Sequence, residues 1–243
     1  MTHHLEICAF GIQSAVIAER AGATRVELCD NPIEGGTTPS YGAIKITREK
    51  IGIQLYPIIR PRSLNYFYDA EEWAIMLADV LTCKELGCDG ISVGIQKING
   101  EIDADKMNRL VEVAYPMGVT CNRVFDAIPN APAVALETLI QAGCERVLTS
   151  GLAASAPEGA ALLKDLVTLA DGRISIMPGA GVRSDNIEVL VKQTGAYEFH
   201  TSARQTIVNP VKYSNPKVTD MGNMYVADEE EVKKIIQLLR LQG

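Results

Sequence analysis

The chain carries few residues able to do chemistry, and they recur at short spacings. In R-V-E-L-C, Arg25 to Cys29, Glu27 and Cys29 stand two apart. On a strand they share one face, because strand side chains alternate with period two. L-E-I-C repeats the pairing with Glu6 and Cys8. Neighbouring strands lie about 4.8 Å apart, so two such strands with thiols inward would bring Cys8 and Cys29 together. That pair is a soft, low-coordinate donor set suited to Cu(I). Free cysteine is equally a common buried core residue, and spacing alone does not separate the two.

Arg60-Pro61-Arg62 puts two guanidiniums at a strand end. They could fork onto a carboxylate or phosphate, or form plain salt bridges with Glu27 or Asp126. N-R-V-F-D adds Arg123 and Asp126, and T-S-G adds Ser150. P-G-A-G-V-R-S-D-N runs from a strand through a glycine turn into a helix. There Gly179 and Gly181 would let the backbone approach an anion at the helix N-terminus, or simply make tight turns. His200, the one histidine beyond His3 and His4, suits a general acid or base titrating near neutrality, or a structural hydrogen bond. The candidate site therefore comprises Glu27, Asp126 and His200 for proton transfer. Arg60, Arg62, Arg123, Ser150, Gly179 and Gly181 would hold substrate, and Cys29 with Cys8 would hold a metal.

A recurring junction positions these groups. Helical pattern ends at a glycine and a β-rich run follows, at Gly22, Gly52, Gly87, Gly118, Gly143, Gly172 and Gly195. Glycine suits the residue after a helix because it takes the left-handed conformation without strain. With the opening run, strands fall near 5–10, 24–29, 53–60, 89–94, 118–125, 145–149, 174–178 and 197–200. Helical segments include 14–21, 70–86, 105–115, 131–142, 158–170 and 186–193, with a last helix opening at the acidic 228–231 and running to about 241. Ser155 with Glu158, and Asp185 with Glu188, read as capping boxes.

Eight alternating βα units without a composition break predict an α/β fold, a single-domain (β/α)8 TIM barrel over 1–243. A doubly wound open sheet is the alternative, but no G-x-G-x-x-G follows an early strand. Segment 201–227, before the last helix, reads as irregular. In a barrel the site lies at the C-terminal ends of the strands, where the chemical residues crowd.

The formal charge of −7 and pI near 5.1 argue against nucleic-acid binding, which needs a cationic footprint. No run approaches the roughly 18 apolar residues of a membrane span, and the start shows no secretory signal pattern. Six cysteines without a C-x-x-C point to a reduced cytoplasm rather than a disulfide framework.

Taken in order, L-E-I-C-A-F, R-V-E-L-C-D-N-P-I-E-G-G-T-T-P-S-Y-G, I-I-R-P-R, C-N-R-V-F-D, L-T-S-G-L-A-A-S-A, I-M-P-G-A-G-V-R-S-D-N-I and E-F-H-T-S-A resemble the CutC family over residues 5 to about 204. The resemblance implies a TIM barrel associated with copper homeostasis, cytoplasmic and homo-oligomeric, with copper binding attributed to cysteines. Cys29 is the position that carries over. One departure stands out: Asn122-Arg123 occupies a site where the family usually has His-Arg, while Asp126 is kept. An amide cannot carry a proton as imidazole can, so a catalytic role there would be lost or pass to His200. Three readings follow. The chain is a copper-binding protein, an enzyme on a small phosphorylated or carboxylate metabolite, or an inactive barrel kept for interaction.

Overall fold

A computed structural model of the chain describes residues 2–242 apart from 130, 209, 214, 216 and 218–222. In chain order the first half runs β1 (His4–Phe10), α1 (Ile12–Ala21), β2 (Arg25–Cys29), α2 (Tyr41–Lys50), β3 (Gln54–Ile59), α3 (Ala70–Glu85), β4 (Gly90–Val93) and α4 (Ala104–Ala114). The second half runs β5 (Gly118–Cys121), α5 (Pro132–Gln141), β6 (Arg146–Thr149), α6 (Ala160–Ala170), β7 (Ser175–Pro178), α7 (Ile187–Thr194) and β8 (Glu198–Thr201). A hairpin of β9 (Arg204–Ile207) and β10 (Met224–Ala227) precedes α8 (Glu229–Arg240).

The eight strands β1–β8 form a parallel sheet in the order β7-β6-β5-β4-β3-β2-β1-β8. β7 and β8 also lie in contact, so the sheet curls round into a nearly closed (β/α)8 barrel. The hydrophobic core lies between sheet and helices. Ile7, Val26, Leu28, Leu55, Ile59, Ile91, Val147 and Phe199 are fully buried there, one parity of each strand meeting the inner faces of the helices.

The other parity fills the lumen, and it is polar. Tyr56 crosses from β3 and its hydroxyl donates to Glu145 Oε1 at 2.6 Å. The ring takes the room that side chains would need on β4 and β5: a Cβ on Gly90 would lie 2.1 Å from it, and one on Gly118 2.5 Å from its hydroxyl. Two guanidiniums stand against the ring, Arg25 at 5.3 Å and Arg146 at 5.6 Å from its centroid. Arg25 bonds Glu6 and, at 2.6 Å, Glu198; Arg146 also bonds Glu198, at 2.6 Å. Alternating Arg and Glu from β1, β2, β6 and β8 thus neutralise one another beneath the mouth.

Local details depart from the sequence expectations where side chains capture the backbone. The fifth strand stops at Cys121 instead of running to 125. Asn122 accepts the Val124 N–H at 3.0 Å and opens a 3-10 turn over Arg123–Ala127. α2, which the pattern did not single out, starts at Ser40, whose hydroxyl accepts the Ala43 N–H at 3.2 Å. Glu158 and Ser155 do pair, at 2.7 Å, but they close a turn ahead of α6. The Asp185–Glu188 box is not formed: Asn186 is the N-cap of α7, without a side-chain cap bond. Ser184 beside it binds Glu231 of α8 instead, through both N–H and hydroxyl at 2.9 Å. Segment 201–227, expected to be irregular, contains the β9–β10 hairpin; part of it lies outside the described residues.

Candidate functional site at the barrel mouth

β1 and β2 pair with Cys8 opposite Glu27 and Phe10 opposite Cys29. That register brings the two sulfurs to 3.7 Å, and Cys29 Sγ lies 3.6 Å from Glu27 Oε2. One donor atom from each of Cys8, Glu27 and Cys29 falls within 4.8 Å of the others. His200 stands next to them from β8. Its Nδ1 is 2.7 Å from Glu6 Oε1 and its Nε2 3.7 Å from Glu27 Oε2.

Charge in this cluster is ordered by its neighbours. Burial favours neutral imidazole, but hydrogen bonds to Cys8 and Glu6 and the nearby Glu27 raise the His200 pKa well above its ordinary value. Burial likewise opposes the Glu6 carboxylate, yet Arg25 and His200 hold it far below the usual carboxyl range. The hydrogen bond with Cys29 draws the Cys8 thiol down against burial and the Glu27 charge. The same bond, with burial and Glu27, pushes Cys29 up. Cys8 is therefore the more acidic thiol of the pair. A thiolate is the form that binds metal and attacks electrophiles.

Above the cluster opens a cleft of about 600 Å³ lined by Cys8, Glu27, His200, Asn122, Arg123 and Asp126, among others. Residues of the β7 and β8 loops, Ala180 to Arg183 with Thr201, Ser202 and Arg204, also line it. Clefts of this size take small molecules.

The predicted site residues divide in two. Cys8, Glu27, Arg123, Asp126, Gly181 and His200 line the cleft, and Cys29 abuts it through Cys8. Asp126 is saturated, however. It accepts the Thr149 hydroxyl at 2.5 Å, the N–H groups of Ser150 and Leu152, and Arg123 Nε at 2.7 Å. It thereby ties the β5 and β6 loops together rather than standing ready as a base. Ser150 is buried, receives Arg123 at 3.1 Å and donates to the Ala153 carbonyl at 2.6 Å. Gly179 leaves space for Leu148, which a Cβ would approach to 2.4 Å.

Arg60 and Arg62 do not join the site. Arg60 is 5% exposed and donates to the carbonyls of Glu34 and Gly36, both at 2.8 Å. It thus clamps the β2 loop, with its guanidinium 4.9 Å from the Tyr66 ring. Arg62 pairs with Glu72 at 2.5 Å and donates to the Phe67 carbonyl at 2.6 Å, which fixes the loop before α3. The expected carboxylate partners, Glu27 and Asp126, are not theirs. Two arginines that the strand-end reading passed over, Arg183 and Arg204, line the cleft in their place. Of the lumen charges, Arg25, Arg146 and Glu198 carry a visible signal that the sequence reading leaves unused: charge at the inward parity of short strands.

Comparison with known proteins places this geometry. The CutC family model matches residues 3–205. A CutC family protein of Chromobacterium violaceum is 49% identical over 209 residues, 86% of this chain and 84% of that one. One from Parabacteroides distasonis is 48% identical over 95% of each chain. Among solved structures, the CutC protein of Streptococcus agalactiae, whose name includes the words copper homeostasis, superposes with a TM-score of 0.78. It is 34% identical, covering 83% of this chain and 99% of its own. Phosphoribosylanthranilate isomerase from Pyrococcus furiosus, 15% identical at a TM-score of 0.60, shares the fold alone.

Proposed function

Since the chain belongs to the CutC family, we propose that it serves copper homeostasis by holding Cu(I) on Cys8 and Cys29. The observation that carries this reading is the approach of the two sulfurs to 3.7 Å beside the Glu27 carboxylate. Two thiols are the soft donors that select Cu(I). The donor set fits in size as well. At a metal–sulfur length of about 2.3 Å, as in zinc thiolates, trigonal and linear sites need sulfurs about 4.0 and 4.6 Å apart. The observed 3.7 Å lies about 0.3 Å short of the trigonal value.

The surroundings support a cation at this point. The lumen arginines below are neutralised by Glu6 and Glu198. Glu27 adds a negative charge beside the sulfurs, and His200, bonded to Glu6 and beside Cys8, is placed to return a proton to a thiolate when the ion leaves. All six cysteines are free. A reduced cytoplasm, which keeps such thiols free, is the compartment this reading assigns. No helix among the described residues is long and apolar enough to cross a membrane. Self-association, common among CutC proteins, belongs to the same reading.

Anaerobic titration with Cu(I) against a chromophoric competitor tests it. Wild-type protein should hold one ion per chain, and Cys8→Ser and Cys29→Ser should each abolish that site. Equal stoichiometry and affinity in both variants would sink the reading.

A further inference from the structure

The cleft has a second half that copper does not need. Its wall between β7 and β8 is cationic: Arg183 and Arg204 line it, and Arg123 faces them from the turn after β5. The acidic groups within reach are largely committed. Asp126 is spent on four donors, and Glu231 is engaged by Ser184 and lies 3.7 Å from Arg183. Glu27 faces the thiols and His200. Arg183 and Arg123 are about half exposed. Arg204 touches the Pro32 carbonyl at 3.3 Å and the Tyr225 ring, without a carboxylate partner among the described residues.

Two further observations point at an acceptor that is not protein. Among the described residues, the N–H groups of Gly181 and Val182 bond to no acceptor, while their carbonyls accept from Asn186 and Thr201. Gly181 has φ +77°, a left-handed turn, and it lines the cleft with Val182. The second observation is Asn122. It is 3% exposed and lines the cleft floor. Its Oδ1 is fixed by the Val124 N–H, which leaves Nδ2 as a buried donor without a partner among the described residues. An orphaned buried donor costs about 1–3 kcal/mol, so a bound oxygen there would be rewarded.

We propose that this half of the cleft binds a small organic oxyanion, a phosphate ester or carboxylate, seated on Arg183, Arg204, Arg123 and the Gly181–Val182 N–H groups. A neutral oxygen of the same molecule accepts from Asn122. Its remaining atoms then lie over Cys8, Glu27 and His200, which line the same cleft. The inference does not rest on copper binding, and it replaces the expected Arg60–Arg62 clamp by residues that do line the cleft.

Calorimetric titration of copper-free protein with inorganic phosphate, glycerol 3-phosphate, pyruvate and uncharged glycerol is the test. At least one anion should bind at one per chain, more weakly as salt rises, and glycerol should not. Comparison of the phosphate and pyruvate arms identifies the anion class. Arg183→Ala and Arg204→Ala, both at exposed positions, should each weaken the best anion about 10-fold and leave the Cu(I) stoichiometry unchanged. Asn122→Ala should erase any preference of glycerol 3-phosphate over inorganic phosphate. The proposal is overturned if no anion binds better than glycerol, or if the Arg183→Ala/Arg204→Ala double variant keeps wild-type affinity. Unchanged ligand preference in Asn122→Ala would remove that residue from the site.

Discussion

Replacing Arg25 by methionine would remove the cation at the centre of the lumen while keeping its aliphatic bulk. Arg25 is 3% exposed, and it bonds both Glu6 and Glu198. Glu198 retains Arg146 at 2.6 Å, but Glu6 keeps only His200. Removing one partner of a buried pair costs about 3–5 kcal/mol, chiefly through the charge left uncompensated. For a chain of 243 residues, each kcal/mol lowers Tm by about 2–4 °C. The expected fall in differential scanning calorimetry is thus about 6–20 °C. Arg25→Met/Glu6→Gln discards the orphaned carboxylate, and glutamine can still bond His200. The double variant should therefore melt higher than Arg25→Met alone. A single variant within 2 °C of wild type, or a double variant less stable than the single, would refute the view that the lumen is a mutually neutralising charge network.

The acid limb of stability should report the same network. Burial favours a neutral Glu198, but Arg146 and Arg25 overcome it and lower its pKa in the fold. A depressed carboxyl contributes stability above the ordinary glutamate pKa of about 4.3, and that contribution is lost as pH falls through the lower folded value. Wild-type denaturation midpoints should therefore drop on acidification below pH of about 4.3, and Glu198→Gln should show a shallower drop; identical slopes would contradict the assignment. Gly159→Ala would set a Cβ 1.9 Å from the Ser150 carbonyl oxygen, a backbone atom that cannot step aside. A cost of about 1–3 kcal/mol or more should appear as a clear loss of thermal stability, and a variant as stable as wild type would show that the β6 loop yields more easily than its packing implies.

The barrel was legible because its punctuation is local. A helix that ends in a left-handed glycine, such as Gly22 at φ +95° or Gly195 at φ +70°, announces itself in sequence. The meeting of Cys8 and Cys29 followed from strand parity once β1 and β2 were taken as neighbours. What failed to show was which partner each charge would choose. Arg60 and Arg62 sit at a strand end as expected, yet nearby loop carbonyls and the Glu72 carboxylate capture them. Asp126 is likewise absorbed by N–H groups of a loop over 20 residues away in sequence. Such choices depend on loop paths, which carry no periodicity. Arg183 and Arg204 were hidden for the converse reason. They lie in the β7 loop and on β9, past the strand ends, and only the folded loops bring them to the cleft.

The central claim, that Cys8 and Cys29 together form a Cu(I) site, is met most directly by X-ray absorption at the copper edge of the wild-type protein loaded with one Cu(I) per chain. The account predicts a low-coordinate ion with two sulfur neighbours. A first shell of nitrogen and oxygen alone, or failure to retain copper, would contradict it.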